Sequence, residues 1–104
     1  MNMRGIVIDP GKAPEICKLP NDSQGLERWL GGPVRIKPFS TQPAALAYVP
    51  CLAGQAMPTR LYGGAWYFGR LLIVGWRRSR LVPLPEPLAR ELAEYFAPME
   101  VSRL

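Results

Sequence analysis

Apolar and polar positions change their spacing several times along the 104-residue chain, and each change marks an element. Gly5-Ile6-Val7-Ile8 is a short apolar run of the kind a buried strand presents. Asp9-Pro10-Gly11-Lys12 follows, with proline where a tight turn wants a fixed φ and glycine where it wants a positive one. Glu15 to Leu19 then alternates polar and apolar as a half-buried strand does, so the two segments predict a hairpin. Ser23 is the expected cap of a short helix in which Leu26, Trp29 and Leu30 share one face, stopped by Gly31-Gly32-Pro33.

Val34-Arg35-Ile36-Lys37 alternates again with its cations on the open side, and Ala44 to Val49 is a further apolar strand between Pro43 and Pro50. Residues 51–64 have no clear period and contain Gly54, Pro58, Gly63 and Gly64, which predicts a long connection. Trp66 to Trp76 is the strongest strand signal, rich in aromatic and β-branched residues, with Gly69 as its expected bulge. It is the expected centre of the sheet. Arg77-Arg78-Ser79 should turn the chain into a short strand over Arg80 to Leu84. Pro85-Glu86-Pro87 then opens a closing helix with Leu88, Leu92, Tyr95 and Phe96 on its apolar face, ended by Pro98 and followed by a frayed tail over 99–104.

These elements predict an α+β fold over residues 1–104: one domain, a mainly antiparallel sheet of five or six strands and two helices, in an order resembling a ubiquitin-like grasp. Composition agrees with a single packed unit, because 48% hydrophobic residues against 20% charged ones is well clear of the disordered regime. The longest apolar stretch, around Leu71 to Trp76, is far short of a membrane span, and Met1-Asn2-Met3-Arg4 leads directly into a strand. A cytoplasmic protein is expected. In that compartment Cys17 and Cys51 read as free thiols, and the Asn21-Asp22-Ser23 glycosylation triplet carries no weight.

Charge is what changes the picture. The chain carries a formal net charge of +5, and the segment from Arg60 to Arg80, with five arginines and no acidic residue, accounts for +5 by itself. The same segment holds Trp66, Tyr67, Phe68 and Trp76. A pI near 9.7 with the excess so localised favours an anionic partner such as nucleic acid, an acidic protein face or a phosphorylated small molecule. Exposed aromatics beside arginines can stack bases while guanidinium groups neutralise phosphates, although in an alternating strand at least some of these aromatics must be core. The candidate binding residues are therefore Arg60, Trp66, Arg70, Trp76, Arg77, Arg78 and Arg80.

Catalytic equipment is sparse. With no histidine, the usual general base and the commonest metal ligand are both missing, and no metal site or cofactor is expected. Asp9 and Glu15 fit a turn and an outward strand position better than a carboxylate dyad, and nothing near Cys51 in the sequence supplies an activating base. Gly64 to Gly69 has the glycine spacing of a phosphate loop, but Arg70 and Leu71 stand where lysine and a hydroxyl residue should follow. A binding protein is expected rather than an enzyme.

The opening Arg4-Gly5-Ile6-Val7-Ile8-Asp9-Pro10-Gly11-Lys12-Ala13-Pro14-Glu15 resembles a Val-Val-Glu-Pro-Gly-Lys-x-Pro-Glu start found in a family of small uncharacterised phage and mobile-element proteins. Later features follow in a similar order: a short helix running into a glycine turn and strand over Leu26 to Ile36, a proline-arginine loop at Pro58-Thr59-Arg60, and Ile73-Val74-Gly75. Gly31-Gly32-Pro33 and the arginine-rich Trp76 to Arg80 depart from that pattern. The family is similar to accessory genes that neighbour antirestriction and other counter-defence functions. The resemblance implies a protein that binds a host protein or defence complex as an inhibitor, whereas the Arg/aromatic segment 60–80 supports the alternative of a nucleic-acid or nucleotide-binding module.

Overall fold

The computed structural model describes residues 2–50 and 57–98, and it begins with the hairpin that the Pro10-Gly11 turn predicts. Strands β1 (Asn2–Ile8) and β2 (Glu15–Pro20) pair antiparallel with Ile6 opposite Ile16. Lys12 N–H donates to the Asp9 carbonyl at 3.1 Å, and Gly11 takes φ 72°, a value that disfavours a side chain.

Helix α1 (Ser23–Leu30) is capped one residue earlier than Ser23. Asp22 has the extended backbone a cap needs, and its Oδ1 accepts from Gly25 N–H at 2.8 Å. Gly31 ends the helix at φ 83°, and its N–H and that of Gly32 both donate to the Glu27 carbonyl.

The next strands are β3 (Arg35–Pro38) and β4 (Ala44–Tyr48). The expected long connection is then interrupted by a strand, β5 (Pro58–Tyr62), while residues 51–56, including Cys51, lie outside the described part. The predicted Trp66–Trp76 strand is two strands, β6 (Ala65–Phe68) and β7 (Leu71–Arg77). Gly69 is the reason: at φ 75° it turns the chain instead of bulging it, and its N–H donates to the Met57 carbonyl. Strand β6 pairs with β5 in a separate two-stranded sheet, and β7 alone occupies the centre of the main one. Strand β8 (Arg80–Val82) is shorter than the predicted Arg80–Leu84, and helix α2 (Glu86–Tyr95) closes the described chain.

The main sheet has the order β2-β1-β7-β4-β3, with β8 also on β7, and every pairing is antiparallel. That includes β1 with β7 at the centre, the place where a ubiquitin-like grasp runs two strands parallel, so the expected grasp topology is replaced by an all-antiparallel one. Leu71 to Val74 are fully buried because β7 is covered on both faces. Leu71 and Ile73 pack beneath Leu84, Ala89, Leu92 and Phe96 on the α2 face, where Tyr67 of the β5–β6 hairpin also packs. Leu72 and Val74 join Met3, Leu19 and Leu26 on the α1 face.

Gly75 lets β8 approach: a Cβ there would meet the carbonyl oxygens of Val82 and Pro83, the latter at 2.7 Å, and neither is a flexible side-chain end. Core packing on both faces of β7 and the close approach at Gly75 therefore hold the β7–β8 hairpin in place. Among the described residues no helix is long and apolar enough to cross a membrane.

Candidate functional site

The five arginines of the Arg60–Arg80 segment have three different fates. Arg60 is 0% exposed and binds only backbone carbonyls. Its Nε donates to Phe96 at 2.8 Å, Nη1 to Thr59 at 2.7 Å and Nη2 to Lys12 at 2.9 Å. Inward-facing on β5, it joins three separate parts of the chain: its own strand, the β1–β2 turn and the C-terminal end of α2. That end carries the negative pole of the helix dipole, which suits a cation. Burial draws the guanidinium pKa below its ordinary value. Arg60 is thus a structural clamp, and its expected place in a binding surface is corrected by its burial.

Arg70, in the turn after Gly69, is exposed but occupied. It makes a two-pronged pair with Asp9, Nε to Oδ1 at 2.8 Å and Nη2 to Oδ2 at 3.2 Å, and its guanidinium lies 5.6 Å from the centre of the Trp29 ring. The Arg70 hydrogen bond holds the Asp9 carboxyl below the usual carboxylate range, outweighing a small desolvation effect. Asp9 is therefore a partner for Arg70, consistent with its reading as a turn residue.

A pH signature follows. Because the folded pKa lies below the ordinary 3.8, the pair stabilises the fold above that value and stops doing so as pH falls through the folded pKa. Asp9→Asn should cost about 0.5 kcal/mol near neutrality, since the pair is partly solvated. The gap between the two proteins should narrow in denaturation curves as pH falls from 3.8 through the lower folded pKa.

Arg77, Arg78 and Arg80 are the remaining three, and all are exposed. Among the described residues the ion pairs are Arg70 with Asp9 and Arg90 with Glu86, so none of these three has an acidic partner there. Arg77 and Arg80 sit directly opposite each other at the end of β7 and β8. Between them Arg78 and Ser79 form the turn at φ 51° and φ 62°. Two positive φ values are what a tight hairpin with native twist requires, and Asn-Gly is the usual solution. Arginine and serine hold it at a conformational cost. Arg78→Asn/Ser79→Gly should therefore raise the unfolding free energy by about 1 kcal/mol, read as a higher Tm.

The aromatic candidates separate from these arginines. Tyr67 is buried, and Trp76 is half-buried against the α1-side core. Trp66 is 44% exposed but lies on β6, beside Tyr48, Val49 and Pro50. Tyr48 continues β4 past the Ala47–Leu72 pairing, so that cluster flanks the start of β7. Seven residues of strand put the arginine turn about 20 Å away. The structure brings together Trp76, Arg77, Arg78 and Arg80, and leaves Arg60, Trp66 and Arg70 elsewhere.

Beside the hairpin runs a groove of about 430 Å³, lined by Asn21, Asp22, Ser23, Ile36, Trp76, Ser79, Arg80 and Leu81. Ile36, Trp76 and Leu81 are half-buried and give it an apolar floor. Sequence reasoning missed Leu81, yet the Arg77-x-x-Arg80 turn places it opposite Trp76 once the hairpin register is drawn. A smaller pocket of about 270 Å³ opens on the other face between Phe39, Tyr62, Tyr95 and Glu91, over the Phe96 ring. Burial raises the Tyr62 pKa there, helped by Tyr95. Among the described residues no cluster of three or more acidic or cysteine side chains is placed to hold a metal.

Fold and site together define a small α+β domain that presents, on the β7–β8 hairpin, a turn of exposed arginines with no acidic partner among the described residues. The chain matches no protein-family model, no curated protein and no solved structure.

Proposed function

We propose that this is a non-enzymatic binding protein that docks on an acidic surface of a host protein through the β7–β8 hairpin. One observation carries the reading: Arg77, Arg78 and Arg80 are exposed at the β7–β8 turn with no acidic partner among the described residues. Clustered cations left unpaired repel one another, so a fold that concentrates them gains when an acidic surface meets them. The turn also retains positive φ values on two residues that dislike them, a cost of the sort found at functional sites.

The opening motif supplies the setting. Its resemblance to phage and mobile-element accessory proteins makes a bacterial host protein the partner, and a component of a defence system the partner of choice. Such an inhibitor would act by occluding a surface, with the arginines competing for acidic groups that the target otherwise uses. Base stacking is less well supported, because the exposed Trp66 and the unpaired arginines lie at opposite ends of β7.

Site-specific photocrosslinking tests this. A benzophenone amino acid replaces the exposed Ser79 in one version of the protein and the exposed Glu94 of α2 in another, and both are irradiated in bacterial cells before nuclease treatment. The proposal expects a discrete protein adduct from position 79 and none from position 94. Adducts that nuclease removes, or equal adducts from both positions, would contradict it.

A further inference from the structure

We infer that the element recognised is a short linear acidic segment carrying one large apolar side chain, with that side chain seated in the Ile36–Trp76–Leu81 groove while the flanking carboxylates meet Arg78 and Arg80. This rests on the binding reading above and specifies the partner's chemistry.

The groove and the arginine turn are one continuous feature, since Ser79 and Arg80 belong to both. Its floor is built for apolar contact: Trp76 and Leu81 are direct cross-strand neighbours on the α1 side of the sheet, and Ile36 joins the same cluster from β3. Trp76 and Leu81 pack against the α1-side core yet are only half-buried, which leaves part of this apolar pair open. A volume of about 430 Å³ accommodates one large side chain with a few backbone atoms, and is too small for a folded element.

Charge selects what surrounds that anchor. Arg80 lines the groove and Arg78 stands in the adjoining turn, both exposed, whereas Arg77 lines a separate pocket with Pro43, Val82, Pro83 and Pro85. The one carboxylate on the lining is Asp22, and its Oδ1 is already engaged by Gly25 N–H at the start of α1. Two cations against one occupied carboxylate make an acidic ligand the complementary one. Each guanidinium can take a carboxylate with two parallel hydrogen bonds, so Arg78 in the turn and Arg80 beside it can hold two acidic side chains of an extended segment. The pocket over Phe96 offers no such selection, because the one charged residue on its lining is Glu91, which would repel an acidic ligand.

The test uses the full chain as bait for a displayed library of random 12-residue peptides, followed by fluorescence anisotropy of the best labelled peptide. Enriched sequences should carry several Asp or Glu around a single Leu, Ile, Phe or Trp. Changing that anchor to alanine should weaken binding roughly tenfold or more, and Arg80→Glu should abolish it. Enrichment without acidic residues, an anchor whose loss is tolerated, or binding that survives Arg80→Glu would each overturn the inference. No enrichment alongside a protein adduct from position 79 would also overturn it, leaving a folded acidic surface as the partner. The absence of both would remove the binding reading itself.

Discussion

Arg60→Ala is expected to lower the unfolding free energy by about 3 kcal/mol or more, the largest single effect on stability. The side chain is fully buried and its three hydrogen bonds reach Phe96, Thr59 and Lys12. Removing it strips three carbonyls of their donor, each loss costing about 1 kcal/mol or more, and leaves a cavity where the long side chain lay. For a domain of this length the Tm should fall by roughly 10 °C or more. Arg60→Met separates the two causes, because it refills most of the space without restoring a donor. Recovery of well under half the loss is expected in urea denaturation. A fully stable Arg60→Met would mean that the site needs bulk and not hydrogen bonds.

The second large effect is on binding. Arg77→Glu/Arg78→Glu/Arg80→Glu should weaken partner association at least about a hundredfold while changing stability by less than about 1 kcal/mol. All three side chains are exposed and lack acidic partners among the described residues, so the fold loses no contact that they make. Arg77 and Arg80 are already a like-charged cross-strand pair, and the glutamates preserve that repulsion with the sign inverted. A matched control reverses Lys12, Lys18 and Arg35, which are exposed away from the turn. It applies the same change in net charge and should leave binding within a few-fold of the native protein. Calorimetric titration of the crosslinked partner reads both, and rising salt should weaken the native complex more than the triple variant.

The main sheet was legible where one periodicity ruled. The β1–β2 hairpin follows from Pro10-Gly11 and the alternation over Glu15 to Leu19, and both helices follow from their breakers and apolar faces. The β5–β6 hairpin was not legible, because its first strand contains Arg60, whose burial no pattern signals, and its second merges with β7 in one aromatic and aliphatic run. Only the positive φ of Gly69 divides them, and a glycine in a strand pattern signals a bulge and a turn equally. The candidate site was legible in outline. Adjacency along the chain collected five arginines, but their separation into clamp, ion pair and free turn depends on Lys12, Asp9 and Phe96, which are distant in sequence.

The central claim, that the arginine turn recognises protein, is tested most directly by fluorescence anisotropy with labelled single- and double-stranded DNA and RNA across a salt series. The account predicts only non-specific association at physiological salt, with Kd in the range of about 10⁻⁶ to 10⁻⁴ M. Sub-micromolar binding at that salt, with a steep salt slope that the triple glutamate variant abolishes, would contradict it and make the hairpin a nucleic-acid reader.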